Sequence, residues 1–339
     1  MKILVMGSGG VGGFFGGRLA HSGCDVTFVA RGAHLEAMRS HGLVIENKAQ
    51  GDIRLAQVKV TEDPASVGPV DLVLISVKLW DTESAARAVK SNVGPQTAVL
   101  SLQNGVIKDD ILRAEFGEAA VIGGAAYVAT HISRPGVILQ TGPLQRVVIG
   151  EYDGRRTPRV EALHAALVKA GVEATIAPDI RRTLWEKFTF LVGLSGTTAT
   201  IRMPIGPIRS NLQTRAFLLE IMKETVAVGR SLGVALPEKY AEDRLRFADS
   251  VPADMTSSMH HDLERGNRLE VDWLSGGVVQ LGGELGVDVA ALLHPLAGVD
   301  ERGGAGTDAG NAHESLQLGR ASAPLVESLS AKQIGRAHV

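Results

Sequence analysis

Cysteine is nearly absent from this sequence, since Cys24 is the only one in 339 residues. No disulfide framework can form within such a chain, and we expect a reducing, cytoplasmic compartment. Aromatic residues make up 4% of the chain, too few for the stacking surfaces of single-strand nucleic-acid binders. The formal net charge is -2, with acidic and basic residues interspersed. The basic surface that nucleic acid or an anionic membrane would require is therefore missing.

Long apolar runs are missing too. Glycine interrupts the first apolar run of MKILVMGSGGVGGFFGG, and no other stretch approaches the ~20 residues of a membrane span. We therefore expect neither a signal peptide nor a membrane-spanning helix. The histidines show no H-x-x-x-H spacing, and the adjacent His260 and His261 would point apart on a helix. We predict no metal site.

The N-terminal half contains short apolar runs that alternate with amphipathic stretches, which is typical of a parallel sheet with crossover helices. The apolar spacing from Thr183 to about Leu285 is mostly three to four residues, which indicates packed helices. We predict an α/β protein in which an N-terminal Rossmann dinucleotide-binding domain precedes an all-helical C-terminal domain. The predicted strands are Lys2–Met6, Asp25–Val29, Leu72–Ser76, Ala98–Ser101 and Val121–Gly124.

The pattern of apolar and polar residues changes after the first five predicted strands. The segment GVILQTGPLQRVVIGE predicts a β-hairpin that closes the first domain, and EATIAPDIRRTLW predicts the crossing into the second. We place the Rossmann domain at 1–178, the helical domain at 179–287, and an atypical tail at 288–339.

A glycine-rich loop follows the first predicted strand. The G-x-G-x-x-G glycines are Gly7, Gly9 and Gly12, between a strand and a helix. In this context the first glycine permits a tight turn, the second lets a pyrophosphate approach and the third allows close helix–strand packing. The loop residues predicted to bind a dinucleotide are Gly7, Ser8, Gly9, Gly10, Val11 and Gly12.

The second strand ends in VARG, with Arg31 where an NAD site usually has an acidic residue. Arginine matches the 2′-phosphate of NADP and leaves the 2′-hydroxyl of NAD without an acidic partner. We therefore predict NADPH/NADP+ as the cofactor, the alternative being a solvated arginine at a strand end.

The stretch LWEKFTFLVGLSGTTAT is apolar nearly all round a helix, yet it contains Lys187. A buried lysine is costly without a partner or a task. On the helix alone, a lysine that snorkels to solvent is the more common explanation.

Four stretches together resemble the ketopantoate reductase family, also called 2-dehydropantoate 2-reductase. They are GSGGVGG with VARG, SVKLWDTESA, SLQNGV, and the pair LWEKF and SSMHHDLERGNRLEVDWLSGGVV. The resemblance implies NADPH-dependent reduction of 2-dehydropantoate to (R)-pantoate in pantothenate biosynthesis, with the active site between a Rossmann and a helical domain.

The resemblance also assigns roles to individual residues. It implies that Lys187 is the general acid, that Glu270 is a second catalytic residue, and that Asn104 contacts cofactor and substrate. It implies that Ser258 binds substrate and that Lys78 lines the cofactor cleft. Plainer readings remain: Asn-Gly is a common turn, the SSM serines suit a helix N-cap, and Asp272 competes with Glu270.

Two positions depart from the family pattern. Relatives carry asparagines four and eight residues after the catalytic lysine, where this sequence has Leu191 and Ser195. The lost amide groups leave the identity of the oxo acid open. The predicted substrate-binding residues are Asn104, Lys187, Leu191, Ser195 and Ser258.

Two other functions remain open. They are an NADPH-dependent reductase of a more apolar 2-oxo acid, and a catalytically silent NADP-binding regulator. We expect a monomer or homodimer that binds neither nucleic acid nor membrane.

The sequence from about residue 288 onward loses its periodicity and becomes rich in Gly, Ala and Ser. Family members continue with a segment resembling PTPV, and reading the back-translated tail one nucleotide later permits that motif. We interpret the tail as either a frameshifted reading or a disordered segment.

Overall fold

The computed structural model describes residues 1–47 and 51–298. The chain divides into two units, of which the first comprises Met1–Phe188 with Val234–Leu236 and the second comprises Thr189–Gly233 and continues from Pro237. The boundary after Phe188 differs from the predicted one at 179. It lies inside a long helix because Ile180 and Leu184, in its first turns, pack against strand residues of the first unit.

The first unit is built on a mixed sheet with strand order β4-β3-β9-β8-β7-β6-β1-β2-β5, and β10 pairs with β9. The central strands are parallel, whereas β8 and β9 run antiparallel. The strands are β1 (Lys2–Met6), β2 (Asp25–Val29), β3 (Leu43–Glu46), β4 (Ile53–Leu55), β5 (Lys59–Thr61), β6 (Leu72–Ile75), β7 (Ala98–Ser101), β8 (Val121–Arg134), β9 (Val137–Gly150) and β10 (Glu173–Ile176).

The five predicted strands are confirmed, although β8 continues ten residues beyond its predicted end at Gly124, to Arg134. The predicted hairpin over GVILQTGPLQRVVIGE is wrong. These residues form the single strand β9, which pairs along its length with β8. Its partner β8 is the strand immediately before it in the chain, so the turn of the hairpin lies at Pro135 and Gly136, at the start of the segment and not within it.

Helices surround the sheet and form the second unit. Within the first unit they are α1 (Gly10–His21), α2 (Gly32–His41), α3 (Thr82–Ala88), α4 (Ile107–Phe116) and α5 (Pro158–Lys169). The helix α6 (Ile180–Ile201) begins in the first unit and continues into the second. The second unit adds α7 (Ile205–Ser210), α8 (Leu212–Ser231), α9 (Tyr240–Ser250), α10 (Ser258–Glu264), α11 (Val271–Leu285) and α12 (Ala290–Gly298).

Both faces of the sheet are buried, which explains why its central strands are continuous apolar runs. Alternate residues of β1 enter opposite cores: Ile3 and Val5 join one cluster, whereas Leu4 and Met6 join the other. The Rossmann-type α/β unit followed by helices therefore agrees with the predicted fold class.

The second unit extends further along the chain than predicted. Helix α12 lies beyond residue 287 and packs on α8 and α11. The carboxylate of Glu224 on α8 accepts hydrogen bonds from the backbone N–H groups of Ala291 and Leu292 at 2.7 and 2.9 Å, satisfying free donors at the start of α12. The rest of the predicted tail, from residue 299, lies outside the described residues. Among the described helices, none has both the length and the apolar character that crossing a bilayer requires.

Candidate active site

The glycine loop between β1 and α1 has the geometry that a dinucleotide needs. Gly7 has φ +97°, a conformation that other residues rarely adopt, and a Cβ at Gly12 would meet the Gly7 carbonyl oxygen at 2.1 Å. At Gly9, by contrast, a Cβ would find nothing within 4 Å. The loop is therefore tight where helix and strand meet, and open at Gly9, the N-cap residue of α1, next to the helix N-terminus whose backbone N–H groups attract phosphate. These features fit a bound dinucleotide.

A histidine that the sequence analysis did not identify supports this loop. Ser8 donates its hydroxyl to the Val29 carbonyl oxygen at 2.8 Å, and Nε2 of His34 lies 2.9 Å from the Ser8 carbonyl oxygen. The N–H of Gly136 donates to Nδ1 of His34 at 3.0 Å, so Nε2 carries the proton. Burial lowers the pKa of His34, which favours this neutral form. His34 thus ties the glycine loop to the β8–β9 turn.

The two basic residues predicted to bind cofactor lie beyond the carboxyl ends of β2 and β6. Arg31 is exposed and is the N-cap residue of α2, directly after β2. Lys78 follows β6 and is partly buried, with its Nζ 5.7 Å from the centroid of the Trp80 ring. Ligands of open α/β sheets bind at this edge.

A buried amide joins the loops after β6 and β7. The side chain of Gln103 donates to the Val77 carbonyl oxygen at 3.0 Å and to the Thr82 hydroxyl at 2.9 Å. It also accepts a hydrogen bond from the Ser101 hydroxyl at 2.9 Å. The adjacent Asn104, in the bend before α4, is thereby held at the same edge of the sheet.

Lys187 reaches Asn104 from helix α6. The ammonium Nζ donates to Oδ1 of Asn104 at 2.8 Å, and it lies 5.5 Å from the centroid of the Tyr127 ring. Burial, with a smaller contribution from the positive charge of Lys108, lowers the pKa of Lys187 to about 7. An ammonium with this pKa loses its proton readily near neutral pH, which is the property of a general acid.

Lys108 is a fully buried lysine, which the sequence analysis missed. Its Nζ lies 2.8 Å from both carboxylate oxygens of Asp109 and donates to the Ser101 carbonyl oxygen at 3.3 Å. Tyr152 donates its hydroxyl to Asp109 Oδ2 at 2.7 Å. Burial and the Asp109 charge raise the pKa of Tyr152, so the phenol keeps the proton it donates. Nothing in the KDD segment marks this pair as buried, since adjacent charges at a helix start are usually solvated.

Leu191 and Ser195 follow Lys187 at helical spacing on α6. Leu191 is partly buried, whereas Ser195 is 1% exposed and donates to the Val192 carbonyl oxygen at 3.4 Å. A leucine offers a ligand no hydrogen bond, so the face of α6 that carries Lys187 is apolar at Leu191.

The SSM serines take different positions in the second unit. Ser257, not Ser258, is the N-cap of α10 and accepts a hydrogen bond from the backbone N–H of His260 at 3.0 Å. Ser258 is exposed at the first helical position. Glu270 is the N-cap residue of α11 and is partly buried. The structure thus brings Lys187 and Asn104 together, and the substrate and catalytic roles of Ser258 and Glu270 stay predictions. Within the described residues, no cluster of three or more His, Cys, Asp or Glu side chains is arranged for a metal.

Two protein-family models match the chain. The model described as Ketopantoate reductase PanE/ApbA matches residues 3–154, and its C-terminal counterpart matches residues 179–295. Together they cover most of the described residues.

Individual relatives agree with these matches. A 2-dehydropantoate 2-reductase of Mesorhizobium japonicum is 33% identical over 83% of this chain and 91% of its own. An uncharacterized oxidoreductase of Bacillus subtilis, YkpB, is 31% identical over the same shares of the two chains. Among solved structures, a 2-dehydropantoate 2-reductase from Geobacter metallireducens has a TM-score of 0.80 and 30% identity, over 86% of this chain and 96% of its own. A PanE/ApbA family ketopantoate reductase from Ralstonia eutropha has a TM-score of 0.79 and 36% identity, over 87% and 97%.

Proposed function

The chain belongs to the ketopantoate reductase family, and we propose that it reduces 2-dehydropantoate to (R)-pantoate with NADPH, using Lys187 as the general acid. Membership makes it an oxidoreductase acting on a CH–OH group, with a nicotinamide dinucleotide as cofactor and an oxo acid as substrate. The observation that carries the finer proposal is the hydrogen bond between Lys187 and Asn104, which joins a lysine of lowered pKa to the ligand-binding edge of the sheet.

NADPH, when bound, supplies the hydride that reduces the ketone carbon. The glycine loop would hold its pyrophosphate, with Arg31 at the 2′-phosphate and Lys78 in the cofactor cleft. Reduction of a ketone carbon places negative charge on its oxygen. The Lys187 ammonium stabilises this charge and then donates its proton to form the hydroxyl. Asn104 accepts a hydrogen bond from Nζ and so fixes the direction of the donated proton.

A more apolar 2-oxo acid is the second candidate substrate. Leu191 lies four residues after Lys187, on the same face of α6, where relatives carry an amide. An apolar side chain there favours a substrate with an apolar group over one that needs a hydrogen bond. The two candidates share the cofactor and the general acid, and they differ only in the group that meets Leu191.

The test follows NADPH absorbance with 2-dehydropantoate, and with NADH in parallel, for the full chain and for Lys187→Ala. We expect NADPH oxidation that falls by about 10²–10⁴-fold in Lys187→Ala. Lys90→Ala, which removes an exposed lysine paired with Glu115, is the matched control and should keep full activity.

Other outcomes redirect the proposal. Turnover only with bulkier apolar 2-oxo acids would favour the second candidate. Tight NADPH binding without turnover of any oxo acid would contradict a reductase and indicate the silent regulator. Arg31→Ala should raise the KM for NADPH and leave that for NADH unchanged, and an equal effect on both would contradict the cofactor preference.

A further inference from the structure

We propose that Tyr127 is a positioning residue for Lys187, whose ring face holds the lysine ammonium beside Asn104 in its proton-donating form. This inference rests on the proposed function, because it concerns the general acid of that reaction. Tyr127 lies on β8, far along the chain from α6, and no sequence motif marks it.

The packing of α6 brings the two side chains together. Ile180 and Leu184 of α6 pack with Ala125 and Val148 in an apolar cluster, and Tyr127 packs at its margin. Lys187 follows Leu184 by three residues, so it continues the same helix face. A lysine therefore occupies the next position of a stripe that is otherwise apolar, and its ammonium meets the ring of Tyr127 at 5.5 Å from the centroid.

Both described partners of Lys187 are uncharged: the amide oxygen of Asn104 and this ring. Burial disfavours the ammonium, and the charge of Lys108 on α4 disfavours it further. The negative face of an aromatic ring attracts a cation and favours the charged form. Without the ring, a smaller fraction of Lys187 would carry its proton near neutral pH.

The ring is itself held in place from the neighbouring strand. Tyr127 and Arg146 are directly opposite in the β8–β9 pairing, and the Arg146 guanidinium lies 5.3 Å from the Tyr127 centroid. Arg146 also approaches Glu173 of β10 at 3.7 Å. The ring thus faces Lys187 and Arg146, and Lys108 is the further cation that acts on Lys187.

The experiment compares Tyr127→Leu and Tyr127→Phe in the full chain. The pKa of Lys187 is measured without substrate, from the pH dependence of its acetylation by acetic anhydride, read by peptide mass spectrometry. The pH profile of kcat/KM for 2-dehydropantoate, at saturating NADPH, is measured in parallel. In Tyr127→Leu we expect the Lys187 pKa and the basic limb of the pH profile to move down by about 0.5–1 pH unit, because the ring no longer favours the ammonium. At pH 8 this lowers kcat/KM for 2-dehydropantoate about 3–10-fold, while the KM for NADPH is unchanged.

Tyr127→Phe keeps the ring and should match the parent protein in both measurements. A Tyr127→Leu protein with an unchanged or raised Lys187 pKa would overturn the proposal. So would a shift in Tyr127→Phe equal to that in Tyr127→Leu, since the hydroxyl and not the ring would then be responsible. Thermal unfolding and NADPH binding report any loss of folding. Because the acetylation readout needs no turnover, an inactive parent protein would contradict the proposed function and still leave Tyr127 testable.

Discussion

The first unit contains a fully buried lysine, Lys108, and a partly buried one, Lys187, whose surroundings differ in kind. Lys108 meets the Asp109 carboxylate and a carbonyl oxygen, and the same carboxylate accepts a hydrogen bond from the phenol of Tyr152. Lys187 meets an amide oxygen and an aromatic ring. Full pairing makes the first ammonium part of the structure, whereas the neutral partners of the second leave its proton available. The comparison teaches that burial alone does not decide whether a lysine can release its proton; the charge of its partners does.

The largest expected effect is on turnover in Lys187→Met, which keeps the apolar stem and removes the ammonium. We expect reduction to fall by about 10²–10⁴-fold, while the urea midpoint stays equal or rises, because a desolvated charge is gone. Retained activity together with a lowered midpoint would break the comparison, since it would make Lys187 a structural lysine.

Lys108→Met should reverse this pattern. Removing one partner leaves Asp109 buried without its cation, which costs about 3–5 kcal/mol of unfolding free energy. The molecules that fold should keep turnover. The basic limb of their pH–rate profile should lie at higher pH, because the Lys108 charge that lowers the pKa of Lys187 in the parent protein is gone. Urea unfolding and a pH–rate profile measure the two effects.

A double variant keeps that prediction testable if Lys108→Met fails to fold. Lys108→Met with Asp109→Leu removes both charges and should recover most of the stability. A double variant as unstable as the single one would show that the ion pair is not the reason for the loss.

The third effect is the pH dependence of stability. The pKa of Lys187 falls from 10.5 to about 7 on folding, so between these values the unfolded chain binds the extra proton and the unfolding free energy rises with pH. The penalty is present in full below about pH 7 and is relieved as the pH rises toward 10. Relative to Lys187→Met, the parent protein should gain about 1.4 kcal/mol per pH unit between pH 7 and 9.

Urea unfolding at pH 7, 8 and 9 measures this difference. Lys90→Met, at an exposed lysine, should keep the parent slope. Parallel lines for the parent and Lys187→Met would mean that Lys187 titrates normally in the fold, and the contrast between the two lysines would disappear.

Sequence patterns predicted the parts of this molecule that depend on local order. The β1–loop–α1–β2 unit has its signals within adjacent residues, and Lys187 stands out because its helix is apolar. The β8–β9 hairpin differs from the predicted one because its turn lies at Pro135 and Gly136 and its first strand continues beyond the predicted end at Gly124. His34, Gln103 and Tyr127 acquire their roles through contacts distant in the chain, so no local pattern marks them. Lys108 pairs with its neighbour Asp109, but the burial of this pair follows from three-dimensional packing.

The domain boundary shows the same limit. The periodicity located α6 but not the point at which the helix leaves one core and enters another. That point follows from which residues of β8 and β9 pack against Ile180 and Leu184, a fact of three-dimensional packing.

The smallest expected effect comes from Tyr152→Phe, which removes one hydrogen bond to Asp109 and keeps the ring beneath Arg113. We expect a loss of about 1–2 kcal/mol in urea unfolding, because Lys108 still pairs with the carboxylate. The pH–rate profile should match that of the parent protein, since Lys187 contacts Asn104 and Tyr127 but not Tyr152. A shifted profile in Tyr152→Phe would show that the two lysines titrate as one coupled network. A structural role and a proton-donating role could then not be assigned separately to the two lysines.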